Sequence, residues 1–185
     1  TFTETKTGKL FLKLAPDQTP EQLIAVYGLM AQAGSGIENE YGLTGEDLYR
    51  DMHGGDKRVK TWNDYIDTVE KYNAPGEFTT LVGWEWSSQP KGGNMHRVVF
   101  TPDAPEITRK FLPYSSLESM DPADLWAWLD TTSGKTGARF IAIPHNPNLS
   151  MGQMFATTTQ SGEPLTAEYA QARNKWEKAV EITQI

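Results

Sequence analysis

Apolar and polar positions follow two periods along the chain. From Thr61 to Asn73, Trp62, Tyr65, Ile66, Val69 and Tyr72 recur at helical spacing and share one face. Ala74-Pro75-Gly76 ends that helix. The pattern then turns strand-like: Phe78 to Trp84 (FTTLVGW) and Met95 to Thr101 (MHRVVFT) read as strands joined by the turn SSQPKGGN. Asp121-Pro122-Ala123-Asp124 caps a helix carrying Leu125, Trp126, Trp128 and Leu129, which Ser133-Gly134 ends. Arg139 to Pro144 (RFIAIP) is almost wholly apolar, as in a strand of a buried parallel sheet. Pro164 to Ala179 reads as a last helix and Val180 to Ile185 as a last strand. Upstream, TFTETKTGKLFLKL is β-prone. Thr19-Pro20-Glu21 opens a helix to about Ala33, and Thr44-Gly45-Glu46-Asp47 opens a short one that ends before His53. From Thr61 onward, the alternation predicts α/β architecture with a mostly parallel sheet and surrounding helices.

At 185 residues, the chain suits one α/β domain or a piece of one. The abrupt β-like ends lead us to expect an internal fragment of a longer protein. Lys and Arg number 17 against 24 Asp and Glu, a net charge of −7, which argues against a nucleic-acid partner. No apolar run reaches the roughly 18 residues of a membrane-spanning helix. With no cysteine, disulfides, thiolate zinc sites and cysteine nucleophiles are excluded. The compartment stays open, periplasm and exterior included.

Two of the three histidines lie where enzymes place chemistry. His145 follows the RFIAIP strand, bracketed by Pro144 and Pro147, at a strand end that would face a ligand crevice. The plainer reading is a His that caps the next turn. Glu85 also ends a strand, between Trp84 and Trp86, where a carboxylate is costly to bury unless paired or metal-bound. His96 follows Gly92-Gly93, a pair that lets the backbone approach something closely. Glu181, in Val180-Glu181-Ile182, carries little signal alone, and His53 reads as a plain loop residue. Glu85, His96, His145 and Glu181 together offer carboxylate and imidazole ligands without sulfur, a set suited to zinc, manganese or iron. Arg97 is a candidate for meeting a substrate anion, against the alternative of a structural arginine.

Phe78 to Phe100 (FTTLVGWEWSSQPKGGNMHRVVF) resembles the signature of the bacterial family catalogued as domain of unknown function 3604. DPADLWAWL, IAIPHNPNLS and VEITQ resemble its later blocks in the same order. The likeness covers about Thr61 to Ile185, whereas residues 1–60 find no counterpart. That family in turn resembles the polymerase-and-histidinol-phosphatase (PHP) superfamily of metal-dependent phosphoesterases. The resemblance implies part of a distorted (β/α)₇ barrel with metals at the strand ends. It makes Glu85 a bridging carboxylate, His96 and His145 metal ligands, and Glu181 an acidic position on a late strand. The His-x-His and Asp-x-His strands of such proteins are absent here, so the chain alone is expected to be inactive. The expectation is a metal-dependent hydrolase acting on a small-molecule substrate, a phosphoester by the resemblance, with Glu85 and Arg97 in the catalytic site. The rivals are a hydrolase of non-phosphate bonds and a non-catalytic binding module using Trp84, Trp86, Trp126 and Trp128 as platforms.

Overall fold

The computed structural model describes residues 2–52 and 55–184, so the reading of His53 lies outside the described residues. Its two compact units divide at Val59 and Lys60.

The first unit is helical. The β-prone start folds instead as α1 (Lys6–Leu14), because Thr5 caps it by accepting the Gly8 N–H. A strand would expose both faces of so short a segment, whereas the helix turns Thr7 and Gly8 inward. α2 (Pro20–Gly34) begins at a full capping box of Thr19 and Gln22, as the sequence predicts. α3 (Gly45–Met52) starts with the reciprocal Thr44–Asp47 pair, at 3.1 and 3.2 Å. Ala15, Val26, Leu29, Ala33, Leu43 and Leu48 are this unit's buried apolar residues.

The second unit holds most of α4 (Gly55–Tyr72), then β1 (Val82–Trp86), β2 (Arg97–Thr101), the single turn α5 (Pro105–Thr108), α6 (Pro122–Thr136), β3 (Ile141–Pro144) and α7 (Ala167–Trp176). On α4, Trp62 and Ile66 are buried while Tyr65 and Tyr72 are exposed, so the inward stripe is narrower than the spacing predicts. α6 passes Ser133-Gly134 and stops only at Gly137, whose φ of 78° closes the helix.

The sheet corrects the fold expected from sequence. Its order is β1-β2-β3, and both pairs are antiparallel. Among the described residues there are seven α-helices and these three strands, a mixed α/β arrangement and not a parallel-sheet (β/α)₇ barrel. The apolar run RFIAIP misled because only Ala142 and Pro144 are buried. Ile141 and Ile143, on the other face, are half-buried, as antiparallel sheets allow. The first predicted strand loses its front half, since Phe78 and Leu81 are exposed before β1 begins. Val180 to Gln184 forms no strand. It has no regular secondary structure and touches β3 through the Glu181 N–H, which donates to the Pro144 carbonyl at 3.0 Å.

One face of the sheet makes the core. Trp86, Val99 and Ala142 pack on Leu125, Trp126 and Leu129 of α6 and Trp176 of α7. Trp84 sits amid Trp62, Phe111, Trp128 and Phe140, with ring centroids 5.8 to 6.2 Å away. Buried or half-buried in this packing, Trp84, Trp86, Trp126 and Trp128 are core rings rather than ligand platforms.

Candidate metal centre

Strand alternation sends Glu85 to the face opposite Trp84 and Trp86. In register, Glu85 faces Val98, which faces Ile143. One step beyond that row the backbone N–H of His145 donates to the His96 carbonyl at 3.3 Å, which sets the two histidines side by side. Because neighbouring strands run oppositely, the end of β1, the start of β2 and the end of β3 meet at one edge of the sheet. Glu85, His96 and His145 therefore converge, each offering a ligand atom within 4.8 Å of the others.

Glu85 Oε1 is the hub. His96 Nδ1 lies 2.7 Å from it and His145 Nε2 lies 3.1 Å from it. The carboxylate is 46% exposed, whereas the imidazoles are 13% and 15% exposed, so the cluster opens to solvent on the Glu85 side. Burial pushes the His96 imidazole below its ordinary pKa, and the neighbouring Glu85 only partly restores it. A neutral ring keeps a lone pair for a cation at neutral pH.

Other residues hold these side chains in place. Gln89 Nε2 lies 3.1 Å from His96 Nε2 and donates to it when the ring proton is on Nδ1. The turn carrying Gln89 is anchored by the Asn94 N–H, which donates to the Leu149 carbonyl, and by the Met95 N–H, which donates to the Ser88 carbonyl. Gly93 makes the close approach that the sequence suggested: a Cβ there would lie 2.6 Å from the Ser150 carbonyl oxygen. Asn146 takes the left-handed conformation at φ 59°, ψ 41° and turns the chain just after His145. Its N–H donates to Glu181 Oε2 at 2.9 Å. Glu181 is thus bound to the loop that carries His145 and is not among the three grouped ligands. Arg97 is likewise not brought to the cluster. It points into the core, 1% exposed, where its Nε donates to Glu177 at 3.0 Å and Nη1 donates to the Met95 carbonyl. Sequence reading missed Gln89, hidden in a segment read only as a turn, and the backbone role of Glu181. The place of Gln89 at the head of the Gly-rich turn that leads to His96 was the available signal for the first.

The donor set fits a divalent cation. It combines one carboxylate and two imidazoles with no sulfur. Glu85, His96 and His145 would hold such an ion, with the Glu85 carboxylate already 2.7 and 3.1 Å from the two imidazole nitrogens. His145 Nδ1 is buried with no hydrogen-bond partner among the described residues, so none of their carboxylates backs this ring on that side.

A family model described as "Protein of unknown function (DUF3604)" matches residues 3–185. The chain belongs to that family. The match takes in residues 3–60 as well as the stretch that holds the sequence blocks. No curated protein and no solved structure matches this member of the family.

Proposed function

We propose that this protein is a metal-dependent hydrolase whose cation is held by Glu85, His96 and His145, and that its substrate is a phosphoester. The observation that carries the reading is the convergence of three ligand atoms within 4.8 Å, from residues as far as 60 positions apart. The phosphoester substrate rests on the resemblance of this family to PHP-type phosphoesterases, in which Glu85, His96 and His145 match metal-binding positions. Zinc, manganese and iron all suit the ligands. A divalent ion bound here supplies Lewis acidity, which acidifies water and offsets charge on a phosphoryl oxygen. The chain's own part is positional. His96 and His145 keep fixed, largely shielded directions. Glu85 presents the exposed side, where substrate and water enter. Gln89 and Glu181 hold the two histidine segments.

The test starts with metal. Equilibrium dialysis against zinc, manganese and iron(II), read by elemental analysis, should give saturable binding that Glu85→Gln and His96→Ala weaken at least 10–100-fold. A panel of phosphomonoesters and diesters on the loaded protein then reads the reaction. Binding unaffected by both substitutions refutes the site. Turnover of carboxylic esters with no phosphoester cleavage replaces the substrate class.

A further inference from the structure

On the other side of the sheet, the charges do not balance. Glu177, 2% exposed on its side chain, is the carboxylate shared by two guanidinium groups. Arg97 Nε donates to its Oε1 at 3.0 Å and Arg173 Nε donates to its Oε2 at 2.9 Å. A third cation, Lys178, has no acidic partner among the described residues and lines the same cavity as Arg173 and Glu177. That cavity has a volume of about 190 Å³ and opens beside α7. Two guanidinium groups thus share one carboxylate in a partly dry setting, where the imbalance is costly, and the exposed Lys178 adds a further positive charge at the cavity wall. The rest of the wall is apolar. Pro144 forms part of it, Val180 is 41% exposed, and Phe155 is 61% exposed with the Arg173 guanidinium 5.9 Å from its ring centroid.

We infer that this cavity binds a small organic oxyanion, its carboxylate or phosphate head between Arg173 and Lys178 and its apolar body against Phe155 and Val180. The site is separate from the metal centre: Pro144 faces the core side of β3 and His145 faces the other. Arg173 already donates through Nε to Glu177 and through Nη1 to the Met154 carbonyl, which fixes its plane and leaves Nη2 for the ligand. An anion there would offset the surplus positive charge, and a flat ring would cover the exposed Phe155.

Calorimetric titration of the whole chain, in chelator to keep metals away from Glu85, tests this with three probes: phenyl phosphate, benzoate and inorganic phosphate. Saturable binding of phenyl phosphate or benzoate is expected, the tighter probe identifying the head group. Inorganic phosphate should bind at least tenfold more weakly than phenyl phosphate. Lys178→Ala and Phe155→Ala, both at exposed positions, should each weaken binding about tenfold, the change expected for one exposed charge-assisted contact or one ring contact. Glu85→Gln should leave binding unchanged, which separates this site from the metal reading. Absence of saturable binding by both aromatic probes, or unchanged affinity in Lys178→Ala, overturns the proposal.

Discussion

Replacing Glu177 with Ala should unfold the second unit more readily than any single change at the metal centre. The carboxylate accepts from Arg97 Nε at 3.0 Å, Trp126 Nε1 at 2.8 Å and Arg173 Nε at 2.9 Å. Arg97 is 1% exposed and stacks 5.7 Å from the Trp86 ring centroid, so it has no path to water when its partner goes. Leaving one member of a buried ion pair uncompensated costs about 3–5 kcal/mol. In a unit of this size, each kcal/mol moves the midpoint by roughly 3–5 °C, so Tm should fall by roughly 10–20 °C. Arg173→Met is the control. It leaves Arg97 paired with Glu177 and removes the Arg173 bonds to Glu177 and to the Met154 carbonyl, the charged one alone a cost of about 1.5–3 kcal/mol. The double variant Arg97→Met/Glu177→Leu removes the buried charges of both and should recover part of the loss, since Trp126 Nε1 and Arg173 Nε still lose their acceptor. Thermal and urea unfolding followed by tryptophan fluorescence reads all three, since Trp126 and Trp176 lie in this core. A Glu177→Ala protein within about 1 kcal/mol of the parent, or a double variant no better than the single, refutes the assignment of Arg97 as a buried charge dependent on Glu177.

The remaining predictions concern the metal centre and its support. His145→Ala should lower metal affinity at least 10–100-fold while changing Tm little, because the ring is a loop-end group outside the core; full metal content with early melting would show a structural histidine instead. In Glu85→Gln the His96 pKa should drop further below its ordinary value, since burial lowers it and Glu85 is the chief influence raising it; an upward shift in an NMR titration would contradict this. The sign for the parent follows. A folded pKa below the unfolded value of about 6.5 means His96 contributes no penalty above that pH, and stability is lost as pH falls from about 6.5 through the folded value. Gly93→Ala should cost about 1–3 kcal/mol and loosen metal binding, because its Cβ would meet the Ser150 carbonyl at 2.6 Å and push the Gln89–His96 turn from the His145 loop; parent-like affinity and stability would show that the loops separate freely.

The pattern of the sequence carried the helices well where caps are chemically explicit. Thr19-Pro20 with Gln22, Thr44 with Asp47, and Asp121-Pro122 all start helices where expected. It carried the convergence of Glu85, His96 and His145 too, though through the wrong geometry. Each does flank a strand, but they meet because an antiparallel hairpin and its neighbour share an edge, not because parallel strands end together. Strand direction was illegible because it depends on where a connection returns, and the apolar run at Arg139–Pro144 looks alike in either sense. The start of the chain resembles a strand in sequence because Leu10, Phe11, Leu12 and Leu14 are as apolar as one, and the decisive Thr5 cap is a single local hydrogen bond. Arg97 and Glu177 could not be paired from sequence, being 80 positions apart. The same holds for Glu181, whose contact with the Asn146 N–H depends on a left-handed residue that nothing in its neighbourhood announces.

The ring of aromatics around Trp84 gives the protein an internal optical gauge. Four rings lie 5.8 to 6.2 Å from it, three of them near edge-on at interplanar angles of 83° to 90°. Chromophores at such separations and fixed tilts couple their transitions, so their near-ultraviolet circular dichroism depends on the packing geometry and vanishes when the rings tumble. Trp84 is the residue next to Glu85 on β1, with its side chain on the opposite face. A shift of this strand at the metal centre would tilt Trp84 within its cage. The dichroic band would then register occupancy of the cluster without a label, from the dry side of the same strand.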